Sequence, residues 1–377
     1  MKKITTNFKA VFFMLALCLP VLAGAQETPK LKIGGFVRFN TYYDHYDKAT
    51  KKQHGAMAYD VFTLQGHGTW KNLFMDADYR LYAKGSGGGM LYRGLVGYKF
   101  NEQHQLQFGL TDVPFGIISS TANSYFLNLN YYIGLSVDHD MGLKYTMRKS
   151  NWEFDAALFK NSDLKSSPGS EEDMSRYSFD VGGRNKEVNQ ANIRLAYNTK
   201  GEFHQQFGLS GELGGLYNLD TEKTGHHHAW ALHYVADYRG WNLKAQFTDY
   251  KLAPRNAEGE SREYVKMVAY GGGYNVASRG RTYNASLAYT WKAGIGVLSQ
   301  IKFYNDFSYL DKTASHFHNS WSNITGMEIT AGPVIIYADY VTSRNHAFIG
   351  NDYTDAFTIG KINETARKLN LSVGYYF

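Results

Sequence analysis

Leu371-Ser-Val-Gly-Tyr-Tyr-Phe377 places an apolar or aromatic side chain at every second position and ends on Phe. Successive side chains of a β-strand face opposite sides. Leu371, Val373, Tyr375 and Phe377 therefore coat one face, and Asn370, Ser372 and Gly374 line the other. The same split runs back through the chain. Leu73, Met75, Ala77, Tyr79 and Leu81 alternate with Asp76, Asp78 and Arg80, and Met141, Leu143, Tyr145 and Met147 with Lys144, Thr146 and Arg148. Ala191, Ile193, Leu195 and Tyr197 alternate with Asn192, Arg194 and Asn198, and Trp241, Leu243, Ala245 and Phe247 with Lys244, Gln246 and Thr248. Arg or Lys facing lipid at a bilayer midplane costs about 2–4 kcal/mol, so the charged face of such a strand belongs to water.

A chain that closes on such a strand resembles a bacterial outer-membrane protein, in which the terminal strand and its last Phe act as the insertion signal. The start of the chain agrees. Lys2, Lys3 and Lys9 precede an apolar run from Val11 to Leu22, and Ala23-Gly-Ala25 supplies the small residues of a cleavage site. Residues 1–25 are predicted to be a signal peptide and 26–377 a β-barrel in the cell outer membrane of a Gram-negative-type bacterium. The apolar run is shorter than the ~20 residues that span a bilayer, which disfavours a membrane helix. Leu17 is too bulky for Cys18 to follow in a lipoprotein signal.

Composition removes other classes. The formal charge of +6 falls to +3 without the three lysines of the leader, too little for a nucleic-acid binder of this length. The single Cys lies in the leader, so the mature chain has no disulfide or thiolate chemistry. Aromatic residues make up 16% of the chain, with 30 Tyr and 38 Gly against 6 Pro. The soluble alternative is a large secreted β-sandwich or propeller. The tryptophans decide between them: Trp70, Trp152, Trp241 and Trp291 stand beside the shortest connections and Trp230 and Trp321 near the opposite strand ends. That is the placement of interfacial aromatic belts.

Short and long hydrophilic segments alternate. The short ones are Lys71-Asn72, Asn101-Glu-Gln103, Lys149-Ser-Asn151, Lys200-Gly-Glu202, Arg239-Gly240, Lys292-Ala-Gly294 and Gly332-Pro333. The long ones fall near 44–55, 84–89, 113–138, 162–188, 219–227, 252–280, 310–319 and 346–365. Seven short and eight long connections give an all-β, transmembrane antiparallel barrel of about 16 strands with both ends on the short-turn side. In 252–280, Glu263 to Tyr274 reads as strand, either a hairpin projecting outside or two further strands that raise the count to 18.

A barrel of that size does not fill itself with side chains, so a water-filled lumen is expected. The predicted pore-lining charges are Arg38, Arg80, Arg93, Lys144, Arg148, Arg194, Lys244 and Lys302, against Asp76, Asp78, Glu153, Asp155, Glu212 and Glu328. With Lys99, Asp237, Asp306 and Asp339 added, nine basic residues meet nine acidic ones. A balanced lumen supports only a weak ion preference unless the two signs segregate to opposite walls. The third long connection contains Pro114 and Phe115 and then Ser124-Tyr-Phe-Leu-Asn-Leu-Asn-Tyr-Tyr132. Its Tyr125, Phe126, Tyr131 and Tyr132 are too apolar for bulk solvent, and the loop is predicted to fold inward as a constriction.

Gly34-Gly-Phe-Val-Arg-Phe39 and Leu106-Gln-Phe-Gly-Leu-Thr-Asp-Val-Pro-Phe-Gly116 resemble the phosphate-selective porin O/P family, the second being similar to its strand that runs through Pro-Phe-Gly into the constriction loop. With the terminal Phe, the likeness covers nearly the whole mature chain. It implies an outer-membrane porin for passive diffusion of small hydrophilic solutes or ions, in some members anions such as phosphate. It also implies a homotrimer, contact with outer-membrane lipid and lipopolysaccharide, and insertion by the barrel-assembly machinery through the C-terminal strand. The chain departs from the family's basic third loop: there is no Lys or Arg from Val113 to Gly142.

No cofactor, no metal ligand and no enzymatic activity is expected, since no Gly-x-Ser-x-Gly, His-Glu-x-x-His or phosphate loop occurs. His226-His-His228 reads as a solvated loop end, His233 as a structural lumen residue, and the sequons at Asn284 and Asn370 as chance. A structural or adhesive barrel without an open pore is the alternative function.

Overall fold

The computed structural model describes residues 28–118, 121–162 and 174–377. The predicted leader, residues 1–25, lies outside them, as does most of the first half of the fourth long connection.

Sixteen antiparallel strands close into a barrel. In chain order they are β1 (Lys30–Asp44), β2 (Ala56–Trp70), β3 (Leu73–Tyr82), β4 (Gly89–Asn101), β5 (His104–Asp112), β6 (His139–Lys149), β7 (Trp152–Ser162), β9 (Asn185–Asn198), β10 (His204–Asn218), β11 (Thr224–Tyr238), β12 (Trp241–Ala253), β15 (Arg279–Ile295), β16 (Leu298–Lys312), β17 (Ser320–Ala331), β18 (Val334–Arg344) and β19 (Thr365–Tyr376). The remaining strands, β8 (Asp180–Val181), β13 (Tyr264–Ala269) and β14 (Gly272–Ala277), form a separate three-stranded sheet. Two short helices, α1 (Lys48–Lys52) and α2 (Leu129–Tyr132), lie in connections. No described helix is long and apolar enough to cross a membrane.

Closure is made by β1 and β19, which pair from Phe36 opposite Tyr376 to Asp44 opposite Lys368. Gly35 and Phe377 exchange both backbone hydrogen bonds, at 3.0 and 2.9 Å. A Cβ on Gly35 would lie 2.2 Å from the Thr63 carbonyl oxygen, so the glycine of the Gly-Gly-Phe motif is what lets β1 approach β2. A closed ladder leaves no strand edge unpaired, which the hydrocarbon of a bilayer demands.

The alternation has the predicted sense. On β19, Leu371, Val373, Tyr375 and Phe377 are 37–58% exposed, while Asn370 is 6% and Ser372 0% exposed. Five of the six tryptophans are exposed on the outer wall, and Trp70, Trp152, Trp241 and Trp321 stand at strand termini. Trp230, expected near a strand end, sits well inside β11.

The tight connections fall where predicted except one. β15 continues through an irregularity to Ile295, so its turn is Gly296-Val297 rather than 292–294. The long connections, numbered L1 to L8, are 45–55, 83–88, 113–138, 163–184, 219–223, 254–278, 313–319 and 345–364. The strand reading inside L6 is correct, but β13 and β14 are not part of the barrel. They pair with each other, and β13 also pairs with β8 of L4. The count is therefore 16, not 18. The hairpin does not project outward either: Val265, Met267, Tyr274 and Val276 are buried in a core shared with L3, L4 and L8.

Candidate pore and its constriction loops

L3 leaves β5 through Val113-Pro-Phe-Gly116. Gly116 has a φ of +60°. A Cβ there would meet the Gln246 amide at 2.5 Å, so the turn into the lumen requires glycine on both counts. From there the loop crosses to the far wall. Ser210 Oγ accepts from the Gly116 amide at 3.0 Å, and Gln246 Oε1 from the Ile117 amide at 3.0 Å. The Asp306 carboxylate accepts from the amides of Asn123 and Ser124 at 2.9 and 2.7 Å. Farther on, Thr282 donates to the Asn130 amide oxygen at 2.6 Å. The acceptors and donors are small polar inward residues of β10, β12, β15 and β16, the strands whose alternation puts Ser, Thr, Gln and Asp inside. The inward-folded third loop is thus as predicted.

L3 does not act alone. Tyr131 and Tyr132 pack on Phe179 of L4 at ring separations of 5.0 and 5.6 Å, and Tyr132 on Phe348 of L8 at 5.2 Å. The Tyr131 and Tyr270 hydroxyls lie 2.6 Å apart, and Tyr274 donates to the Tyr132 carbonyl at 2.5 Å. L4, the L6 hairpin and L8 thereby join L3 in one buried aromatic cluster inside the long-loop end of the barrel. Lys312 Nζ fastens this assembly to β16 by donating to the carbonyls of His318, Ala356 and Thr358 at 2.6–3.0 Å. The expectation of a wide lumen narrowed by one loop is corrected: several loops share a core, because their aromatic residues have more apolar surface to bury than the wall can cover.

Among the described residues, two cavities lie on the inner side of the wall. A cavity of about 830 Å³ lies between L3 and the wall of β1, β2 and β17 to β19, lined by Tyr125, Phe126, Tyr131 and Tyr132 and by Arg38, Arg80, Lys244, Lys302 and Glu328. A second, of about 510 Å³, opens toward the short turns and is lined by Asp76, Asp78, Arg80 and Arg93. Arg80 and Tyr92 border both, and the guanidinium of Arg80 lies 3.6 Å from the centroid of Tyr92.

All fourteen predicted pore charges face the interior, yet they divide into two sets. Arg38, Asp76, Asp78, Arg80, Arg93, Lys244, Lys302 and Glu328 border the cavities. Lys144, Arg148, Glu153, Asp155, Arg194 and Glu212 do not. Arg194 is 2% exposed, donates to the Gly116 carbonyl at 2.9 Å, and pairs with Glu153 and Asp155 at 2.9 and 3.3 Å. Arg148 reaches Asp155 at 2.9 Å, and Lys144 donates to the Asp112 carbonyl at 3.0 Å. These residues carry the base of L3. Pro114 and Phe115 are likewise buried beneath the loop and not exposed to the pore. Alternation reveals which wall a residue faces, but not whether a loop has been laid over it.

Sequence reasoning missed Asn40, Asp60 and Lys368, which also line the larger cavity. Asn40 donates to the Tyr125 hydroxyl at 2.8 Å, and Lys368 pairs with Asp44 at 2.8 Å. Both follow the polar register of their strands and could have been found from it. Asp60 could not: the register of β1 on β2 slips there, so Asp60 turns inward out of phase to pair with Arg38.

The three consecutive histidines are in β11 and not in a loop. His227 points inward, 3.4 Å from Glu212, while His226 and His228 point outward with rings 6.1 Å apart. They share no ligand sphere. His233 Nε2 lies 3.3 Å from Gln206 Oε1 on the lumen wall. At the return of L3, Asp138 is buried beside Asp140 and Asp180, and burial together with these neighbours holds the Asp138 carboxyl well above the usual carboxylate range.

Solved structures share this architecture. The outer membrane channel DcaP of Acinetobacter baumannii aligns with a TM-score of 0.58 at 12% identity, over 94% of this chain and 100% of that one. OmpF of Salmonella typhi, solved with daunomycin, aligns at 0.61 and 13%, over 92% and 98%. An anion-selective porin from Comamonas acidovorans aligns at 0.58 and 12%, over 93% and 100%. No protein-family model and no curated protein matches the chain by sequence. At such identities the likeness is one of fold: a closed, 16-stranded outer-membrane barrel.

Proposed function

We propose that this chain is an outer-membrane porin that passes small hydrophilic solutes by diffusion along a narrow path bounded by L3. One observation carries the reading. The two cavities share Arg80 and Tyr92 as a common wall, so that open volume on the short-turn side and open volume at the level of L3 are parted by one stacked pair, inside a barrel whose lipid-facing side is apolar. An interior built for structure alone has no use for paired charges on the surface of a cavity.

The larger cavity also supports a modest preference for anions. Arg38, Arg80, Lys244, Lys302 and Lys368 line it, against Asp60 and Glu328. The overall balance of lumen charges hides this segregation: Lys144, Arg148 and Arg194 are taken up beside L3 together with Glu153, Asp155 and Glu212, while Asp76 and Asp78 line the smaller cavity and not the larger. Most of the cations are paired, Lys302 with Glu328 at 3.3 Å and Arg80 with Asp78 at 3.4 Å, so the preference is weak and phosphate specificity of the porin O/P type has no basic third loop to support it. Lys244 is the cation freest to act, its Nζ donating to the Ala122 carbonyl at 3.5 Å. The homotrimer, the lipopolysaccharide contact and insertion through the terminal strand belong to the same reading and rest on the family resemblance.

Refolded protein in a planar bilayer tests it. Stable ohmic steps are expected, with a reversal potential of anion sign in a salt gradient that Lys244→Glu moves toward zero. A silent membrane would leave the structural barrel, for which the shared aromatic core of the loops is the favouring observation.

A further inference from the structure

Asp138, Asp140 and Asp180 come from three different places: the last residue of L3, the second residue of β6, and β8 within L4. Each offers a carboxylate oxygen, and the three oxygens lie within 4.8 Å of one another. None of the three residues is more than 7% exposed. Carboxylates removed from water and set this close repel strongly unless a proton or a cation lies between them.

A separate observation comes from Asp140. It is 1% exposed, its Oδ2 accepts from the Gln190 amide at 3.2 Å, and its buried Oδ1 accepts no hydrogen bond from any described residue. A buried carboxylate oxygen without a donor loses its hydration for nothing in return, so Asp140 Oδ1 is open to a proton or a cation. Arg176 approaches Asp180 at 3.4 Å from the side. The backbone around the group is already fixed: the Asp138 carbonyl accepts from Val113, closing the base of L3 at 2.9 Å, and its Oδ1 accepts from the His139 amide at 2.8 Å.

We propose that Asp138, Asp140 and Asp180 hold one calcium ion, which clasps the constriction loop to L4. The donor set is all hard oxygen, which favours calcium or magnesium over zinc. Calcium takes about six to eight oxygens in flexible geometry, whereas magnesium demands a near-ideal octahedron and keeps several of its waters, so three carboxylates converging from three separate segments suit calcium. The three oxygens, all within 4.8 Å of one another, lie close enough to be bridged by one such ion. Because β8 pairs with β13, an ion at Asp180 would secure the L6 hairpin to L3 as well.

The site is tested on the mature chain refolded in detergent without lipopolysaccharide, by calorimetric titration with calcium chloride and by thermal unfolding in calcium or chelator. One saturable site per chain and an unfolding midpoint several degrees higher in calcium are expected. Asp140→Asn should weaken calcium binding at least tenfold and abolish the shift, while keeping or raising the midpoint in chelator, since it relieves repulsion. Asp180→Asn serves where Asp140→Asn does not refold. Absence of saturable binding by the parent chain, or undiminished binding by both variants, overturns the proposal and leaves a cluster that shares protons. Conductance is not the readout, so failure here is distinct from failure of the porin reading.

Discussion

His346 shows how much one residue of L8 commits the loop. Its ring is 2% exposed and packs 4.6 Å from Tyr132 and 5.3 Å from Phe357, with Nδ1 accepting from the Phe348 amide at 3.1 Å. Burial alone pushes its pKa from 6.5 down to about 3, so the folded loop requires the neutral ring. The unfolded state takes up the proton first. The stability this residue contributes is complete above pH 6.5 and is lost as the pH falls from there toward 3. Acidification is therefore expected to loosen L8 from L3, seen as faster protease cleavage within 345–364. His346→Gln should show a smaller change over the same range. An equal acid response in the two proteins would place the sensitivity in other groups.

At the scale of the element, L3 is held by polar contacts to one wall and by aromatic packing to other loops, and the two can be separated. Asp306 accepts two backbone amides of L3, and hydrogen bonds to a charged group contribute about 1.5–3 kcal/mol each. In Asp306→Ala both amides lose their acceptor while the cluster around Tyr131 and Tyr132 stays intact. The expected outcome is local: hydrogen exchange around Asn123 and Ser124 accelerates at least tenfold, and the open-state conductance rises. Global unfolding should change little. Unaltered exchange at those amides would show that packing alone sets the loop's position. The L6 hairpin makes the complementary point, for much of its burial comes from other loops, L3, L4 and L8, with Tyr250 of β12 joining it from the wall.

For the whole molecule, the outer surface must be solvated by lipid. Leu209, near the middle of β10, is 52% exposed beside Ser210, which is 1% exposed and anchors Gly116 inside. Leu209→Arg is expected to destabilise the barrel in phospholipid vesicles by about 2–4 kcal/mol in urea titrations, whereas Leu209→Met changes it by less than about 1 kcal/mol. Equal stability of the two variants would mean that this face does not contact hydrocarbon.

The chain's own alternation determined the barrel strands, nearly all of their inward and outward faces and the short connections but for the one after β15; it left the count at 16 or 18, and the apolar side chains of L3 gave its inward course. These are legible because a strand of period two between water and lipid leaves its pattern in local sequence. The proximity of Asp138, Asp140 and Asp180, the inward turn of Asp60, the union of the loops over Tyr131 and Tyr132, and the retreat of Arg194 and Asp155 beneath Gly116 are different in kind. Each depends on where segments distant in sequence come to rest after the barrel has closed, and on what then remains to be buried. Such placements are decided by packing between loops, for which a single sequence carries no period to read.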